Sequence, residues 1–278
     1  MKFGTGYCLT ALCAAADALS AHPGRNHTNY PKNWAVALFN SVDTIDVFGP
    51  INVLFYLSFS KQMSLSFVAE TKDPIWMRPG SETTNKLGSQ FMASVNPSHT
   101  FADPPNDIDV LLVPGGPGVR NSTLSDPVVA YIREAYPNVK QLVTICSGAG
   151  LAARAGVLDG KRATTGKAAW NSTTAMGPKV NWVSPARWTV DGNVWTSSGV
   201  TSGFDLIFEF IDKMYGNAST KTLEGVVEYD RAVDPCEDSF AALHGVPPSG
   251  NCRAGKRAAP PTNTKAFSYR SANGARRI

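Results

Sequence analysis

The chain has little of what most hydrolytic and metal sites require. Among 278 residues there are four histidines, His22, His27, His99 and His244. No HxxxH, HxxE or CxxC spacing occurs, so a zinc site has no ligand set to build on. No GxGxxG fingerprint is present, which removes the common dinucleotide-binding reading. No apolar run reaches the ~18 residues needed to span a bilayer. Charge is sparse too, at 17% of residues with a formal net charge of +4. The basic residues of the tail, Arg253, Lys256, Arg257, Lys265, Arg270, Arg276 and Arg277, are scattered and accompany no nucleic-acid motif. The expectation is therefore a protein with no metal, no cofactor, and neither nucleic acid nor membrane as a partner.

What remains is a globular composition, 43% hydrophobic, long enough for one α/β domain with extensions. From Trp34 the chain alternates strand and helix patterns. Buried strands are predicted at Trp34–Phe39, Ser64–Ala69, Ile108–Val113 and Gln141–Ile145. Further strands follow at Val180–Val183, Arg187–Val190 and Val194–Ser197, with a turn at Asp191-Gly192. Helices are predicted over Ile51–Ser58 with Pro50 in the first turn, and over Asp126–Ala135 with Asp126 as cap. Two more are expected over Ser147–Ala155 and Thr201–Tyr215. The stretch Trp76–Gln90 reads as a hairpin or irregular excursion. Such alternation implies a mostly parallel sheet covered on both faces.

The N-terminus reads as a secretory signal over residues 1–21, with Lys2, an apolar stretch and small residues at Ala18–Ala21. Asp17 interrupts it. Sequons at Asn26, Asn121, Asn171 and Asn217 add an expectation of glycosylation and secretion. Beyond the signal only Cys146, Cys236 and Cys252 remain. Cys236 and Cys252 flank a Pro/Gly-rich loop and could close a disulfide, leaving Cys146 as the free thiol. Lys256-Arg257 could be a processing site, although a solvated tail accounts for it as well.

The chemistry gathers at Thr144-Ile145-Cys146-Ser147-Gly148-Ala149-Gly150. A buried strand runs straight into a helix of small residues, with a cysteine at the bend. Such an elbow presents its side chain at the carboxyl end of a parallel sheet, where open α/β folds bind ligands. The Ser147 N–H could donate to a developing anion, joined by the N–H of Gly115 or Gly116 from the Pro114–Gly118 loop. Asp43 and Asp46 follow the first strand, again at a carboxyl end. A carboxyl group beside a thiolate has its pKa raised and can hold a proton. Helix capping is the competing role for either aspartate.

Several segments jointly resemble the ThiJ/PfpI branch of the class I glutamine amidotransferase-like superfamily. They are Asp43–Pro50, Val113–Gly116, Ile145–Gly148, Gly156–Thr165 and Trp195–Gly199. The Asp-x-Phe-Gly-Pro form most resembles isonitrile hydratase and the related domain of AraC-type regulators. The resemblance implies a flavodoxin-like three-layer sandwich, placed over residues 34–233, while the Pro-, Gly- and Arg-rich composition of 234–278 predicts a partly disordered extension. It implies a homodimer acting on a small molecule, with Cys146 as nucleophile, Asp46 as acidic partner, and an anion hole at Gly116 and Ser147. Ser147 stands where isonitrile hydratase has threonine. Many relatives carry a histidine after Ala163-Thr164-Thr165, whereas this chain has Gly166 and then Lys167. A Cys-His-acid triad is thus not expected, although His99 could reach the site from a loop. The reading is a cysteine-dependent hydratase of isonitriles. The alternatives are another lyase, an isomerase, a glyoxalase-type enzyme, an oxidation sensor or a ligand-binding domain.

Overall fold

The computed structural model describes residues 30–81 and 84–253. The expected signal peptide, the Asn26 sequon, Lys256-Arg257 and the tail beyond residue 253 lie outside the described residues.

Apolar runs build the centre. β1 (Asn33–Ala37) leads to α1 (Thr44–Leu57), then β2 (Ser64–Ala69), the short β3 (Ile75–Met77) and β4 (Ala93–Val95), and β5 (His99–Thr100). β6 (Val110–Val113) precedes α2 (Ser122–Ala135), and β7 (Gln141–Thr144) precedes α3 (Gly148–Arg154). β8 (Arg162–Ala163), α4 (Trp170–Thr174), β9 (Asn181–Trp182), β10 (Trp188–Asp191) and β11 (Val194–Ser197) follow. The chain then forms α5 (Ser202–Tyr215), α6 (Asn217–Val227) and α7 (Ser239–Leu243).

Seven strands form the main sheet in the order β10-β11-β7-β6-β1-β2-β5. All neighbours are parallel except β10, which returns antiparallel to β11 along one edge. α1, α5 and α6 pack together, while α2 packs on α3. The central strands are apolar on both faces because helices cover both. Leu111, Leu112 and Leu142 on the strands and Phe208 and Phe210 on α5 are fully buried between the layers. This is the flavodoxin-like sandwich expected, and it brings the ends of β1, β6 and β7 side by side.

Three elements differ from expectation. α1 begins at Thr44 rather than around Pro50, because Asp43 caps it by accepting from the N–H groups of Ile45 and Asp46. Pro50 then sits inside the helix, and Asp46 lies in its first turn. α2 starts at Ser122 with Asn121 as its cap residue, so Asp126 and Pro127 are internal. The extension after residue 233 is packed as far as Arg253. It carries α7, a disulfide between Cys236 and Cys252, and a bridge from Ser249 to Ser184. Ala241 and Val246 bury against Trp170.

Candidate active site

The elbow forms where β7 meets α3. Cys146 has φ of +55°, in the left-handed region that a side chain rarely adopts. Holding a non-glycine residue there costs about 1–3 kcal/mol, so the surroundings must impose it. The Ile145 N–H donates to the Val113 carbonyl at 3.0 Å, and the Gly148 N–H to the Ile145 carbonyl at 2.9 Å. The Thr165 hydroxyl donates to the Cys146 carbonyl at 2.9 Å. Gly148 is needed for close approach, since a Cβ there would lie 2.3 Å from the Val113 carbonyl oxygen.

Asp46 comes to the same place from α1 and is fully buried. Its Oδ2 accepts from the Gly115 N–H at 3.0 Å. Its Oδ1 is buried with no hydrogen-bond partner among the described residues. Burial, and then the charge of Asp43, push the Asp46 pKa up to about 7, with the Gly115 N–H pulling the other way. Burial, and then the charge of Asp46, push the Cys146 thiol up to about 12, while the Ser147 N–H and hydroxyl pull it down. Gly115 marks the point of convergence. A Cβ on it would lie 2.7 Å from both the nitrogen and the hydroxyl of Ser147, and 2.9 Å from Asp46 Oδ2. Near neutral pH, then, the thiol keeps its proton, and burial lets the carboxyl hold one far above the usual carboxylate range. The two acidic groups are coupled through charge rather than through a hydrogen bond.

Of the two expected anion-hole donors, the Ser147 N–H faces the sulfur. The Gly116 N–H donates instead to the Ser147 hydroxyl at 3.1 Å, so it steadies Ser147 in this state. His99 does not reach the site. It lies on edge strand β5, separated from β7 by β2, β1 and β6. At ~4.8 Å per strand that is about 19 Å. Its Nδ1 contacts the Ser98 hydroxyl.

Sequence reasoning did not single out Lys167 as a site neighbour. Its ammonium is buried and ion-paired to Asp238 Oδ2 at 2.9 Å. It also donates to the hydroxyls of Thr164 and Ser198 and to the carbonyls of Thr165 and Ala186. Burial pulls its pKa down, and the Asp238 charge resists. The one available signal was a lone charge among small residues, Ala163 to Ala169. A separate open cavity of ≈ 480 Å³ lies along β10, lined by Arg162, Trp188, Asp191, Glu209 and Lys213 among others. It contains none of Cys146, Asp46 or Ser147, so chemistry rather than size locates the site.

The family model described as the DJ-1/PfpI family matches residues 32–213. The chain belongs to that family. It is 29% identical to isonitrile hydratase of Pseudomonas putida over 225 residues, covering 80% of this chain and 88% of the relative. Deglycase PH1704 of Pyrococcus horikoshii is 33% identical over 96 residues, 34% of this chain and 55% of the relative. The crystal structure of a ThiJ/PfpI family protein from Pseudomonas syringae superposes with a TM-score of 0.60 at 21% identity, covering 76% of this chain and 82% of the other. That likeness is one of fold.

These relatives correct the reading of a secreted glycoprotein with a signal peptide. The family match covers residues 32–213 and the relatives are named as a hydratase and a deglycase, and neither supports a signal peptide, secretion or glycosylation. Asn121 is the cap residue of α2, Asn171 lies within α4, and Asn217 opens α6. The Asn217 side-chain nitrogen, the atom a glycan would take, donates to Asp212 Oδ1 at 2.7 Å.

Proposed function

We propose that the protein is a cofactor-free hydratase that converts an isonitrile to an N-substituted formamide. The observation that carries this reading is the buried Oδ1 of Asp46, unpartnered among the described residues, beside the Cys146 elbow, where no described histidine acts on the thiol. The pair works with one proton between its two groups. Asp46, ionised, takes the Cys146 proton as the sulfur adds to the terminal isonitrile carbon. It returns that proton to the same carbon, giving a thioimidate. Water then adds to the thioimidate carbon, the C–S bond breaks, and the formamide leaves with the thiol restored. The Ser147 N–H stabilises the charge that builds at the sulfur. Turnover should therefore rise as pH passes about 7, where Asp46 ionises, and fall towards about 12, where the thiol loses its proton.

Cys146→Ala should abolish hydration of cyclohexyl isocyanide. Asp46→Asn should slow it by ~10²–10⁴-fold, the usual contribution of a positioned acid–base group. Full turnover by Cys146→Ser would refute the thiolate step. A glyoxalase- or deglycase-type activity on 2-oxoaldehydes is the second reading, favoured by the likeness to deglycase PH1704. Turnover of methylglyoxal but no isonitrile would select it. A homodimer is proposed as the working state, because Ile45, Phe48 and Phe55 leave an exposed apolar stripe along α1. Light scattering at the mass of one chain would count against that.

A further inference from the structure

Gly166 has no backbone reason to be glycine. Its φ of −56° and ψ of 127° suit any residue. A Cβ built there would lie 2.9 Å from Cys146 Sγ, and among the described residues, the adjoining Thr165 and Lys167 aside, its only other neighbour within 4 Å would be Gly199 Cα at 4.0 Å. A Cβ on Gly199 would meet nothing within 4 Å. The missing side chain thus leaves a space that opens directly onto the sulfur and is bordered by a second glycine.

The residues on either side of Gly166 are held in place. On one side the Thr165 hydroxyl ties the segment to the Cys146 carbonyl. On the other, Lys167 is bound to Asp238, which belongs to the segment closed by the Cys236–Cys252 disulfide. That segment lies beyond residue 213, where the family match ends. It is held to the domain by the Arg187 N–H to the Pro235 carbonyl at 2.7 Å and by paired bonds between Ser184 and Ser249.

We propose that Gly166 is a specificity-determining residue: the space it leaves beside the Cys146 sulfur receives the substituent of the electrophile, and Lys167, anchored by Asp238 of the C-terminal segment, is the positioning residue that fixes the width of that space. The inference rests on Cys146 as the nucleophile and not on which electrophile it attacks.

The test is alkylation of the full chain by iodoacetamide and by N-phenyl iodoacetamide, followed at Cys146 by peptide mass spectrometry. The two reagents share one reacting carbon, so the ratio of their rates reports room beside the sulfur and is independent of the thiol pKa. Gly166→Ala should lower the phenyl-to-parent ratio by about tenfold, the scale expected when a methyl group takes the space that the ring would use. Asp238→Asn should loosen the wall and bring the ratio about threefold nearer that of a free thiol such as glutathione. An unchanged ratio in Gly166→Ala overturns the specificity role, and an unchanged ratio in Asp238→Asn overturns the anchoring role. Should either variant fail to fold, the structure of wild-type protein carrying the phenyl adduct decides. A ring against Gly166 and Gly199 supports the proposal, and a ring turned towards Asp46 refutes it. A ratio that shifts as expected in protein that hydrates no isonitrile supports the space and counts only against the hydratase.

Discussion

Two buried carboxylates, Asp238 and Asp46, are treated in opposite ways. Asp238 meets an ammonium at 2.9 Å, and that ammonium is saturated by four further oxygens. Asp46 meets a single N–H, and its second oxygen has no partner among the described residues. The first arrangement satisfies its charges and fixes a position. The second leaves a charge uncompensated, raises two pKa values and keeps a proton movable. A buried group with its bonds complete is a strut, whereas one with a bond missing is available for chemistry.

The contrast is best broken by removing one member from each pair. Lys167→Met should leave Asp238 buried without its counter-ion and cost about 3–5 kcal/mol, read as a lowered urea midpoint. A loss below about 1 kcal/mol would mean the pair is solvated and no strut.

Asp46→Asn should act in the opposite direction. The Asp46 carboxyl goes from an ordinary 3.8 to about 7 on folding, so its ionisation opposes the folded state. Its favourable contribution is complete below 3.8 and is lost as pH rises through about 7. Between pH 5 and pH 8 the wild type should lose on the order of 3 kcal/mol relative to Asp46→Asn. Parallel stability curves for the two proteins would show that Asp46 is compensated by something other than the Gly115 N–H. The variant that loses activity would thus be the more stable protein above neutrality.

The smallest effect is expected far from both pairs. His99→Ala, on the opposite edge of the sheet, should shift stability by no more than about 0.5 kcal/mol and leave turnover unchanged. A clear loss of turnover would return a histidine to the mechanism.

The elbow was readable from the chain because it is local. A buried strand, a cysteine and a run of small residues are contiguous, and only one kind of turn accommodates them. Asp46 is readable through its motif, although the sequence pattern places the start of its helix too late. Pro50 drew attention as a first-turn residue, while the Asp43 cap lies further upstream. The Lys167–Asp238 pair left almost no trace. Its partners are distant in sequence, and a lysine read alone belongs on the surface. Asp238 also falls in a Pro- and Gly-rich stretch that reads as loose tail until the disulfide and the Trp170 contact are seen to pin it. Gly166 was noticed for the histidine it is not. Its closeness to the sulfur required coordinates.

The bond between Cys236 and Cys252 closes a ring of chain around Asp238. A protease that cut the backbone within that ring, for instance at the exposed turn near His244 and Gly245, would therefore release neither end. The piece that begins after the cut would stay tied through Cys252 to the piece that carries Lys167 and Asp238, and the nicked molecule would stay whole until its disulfide was reduced.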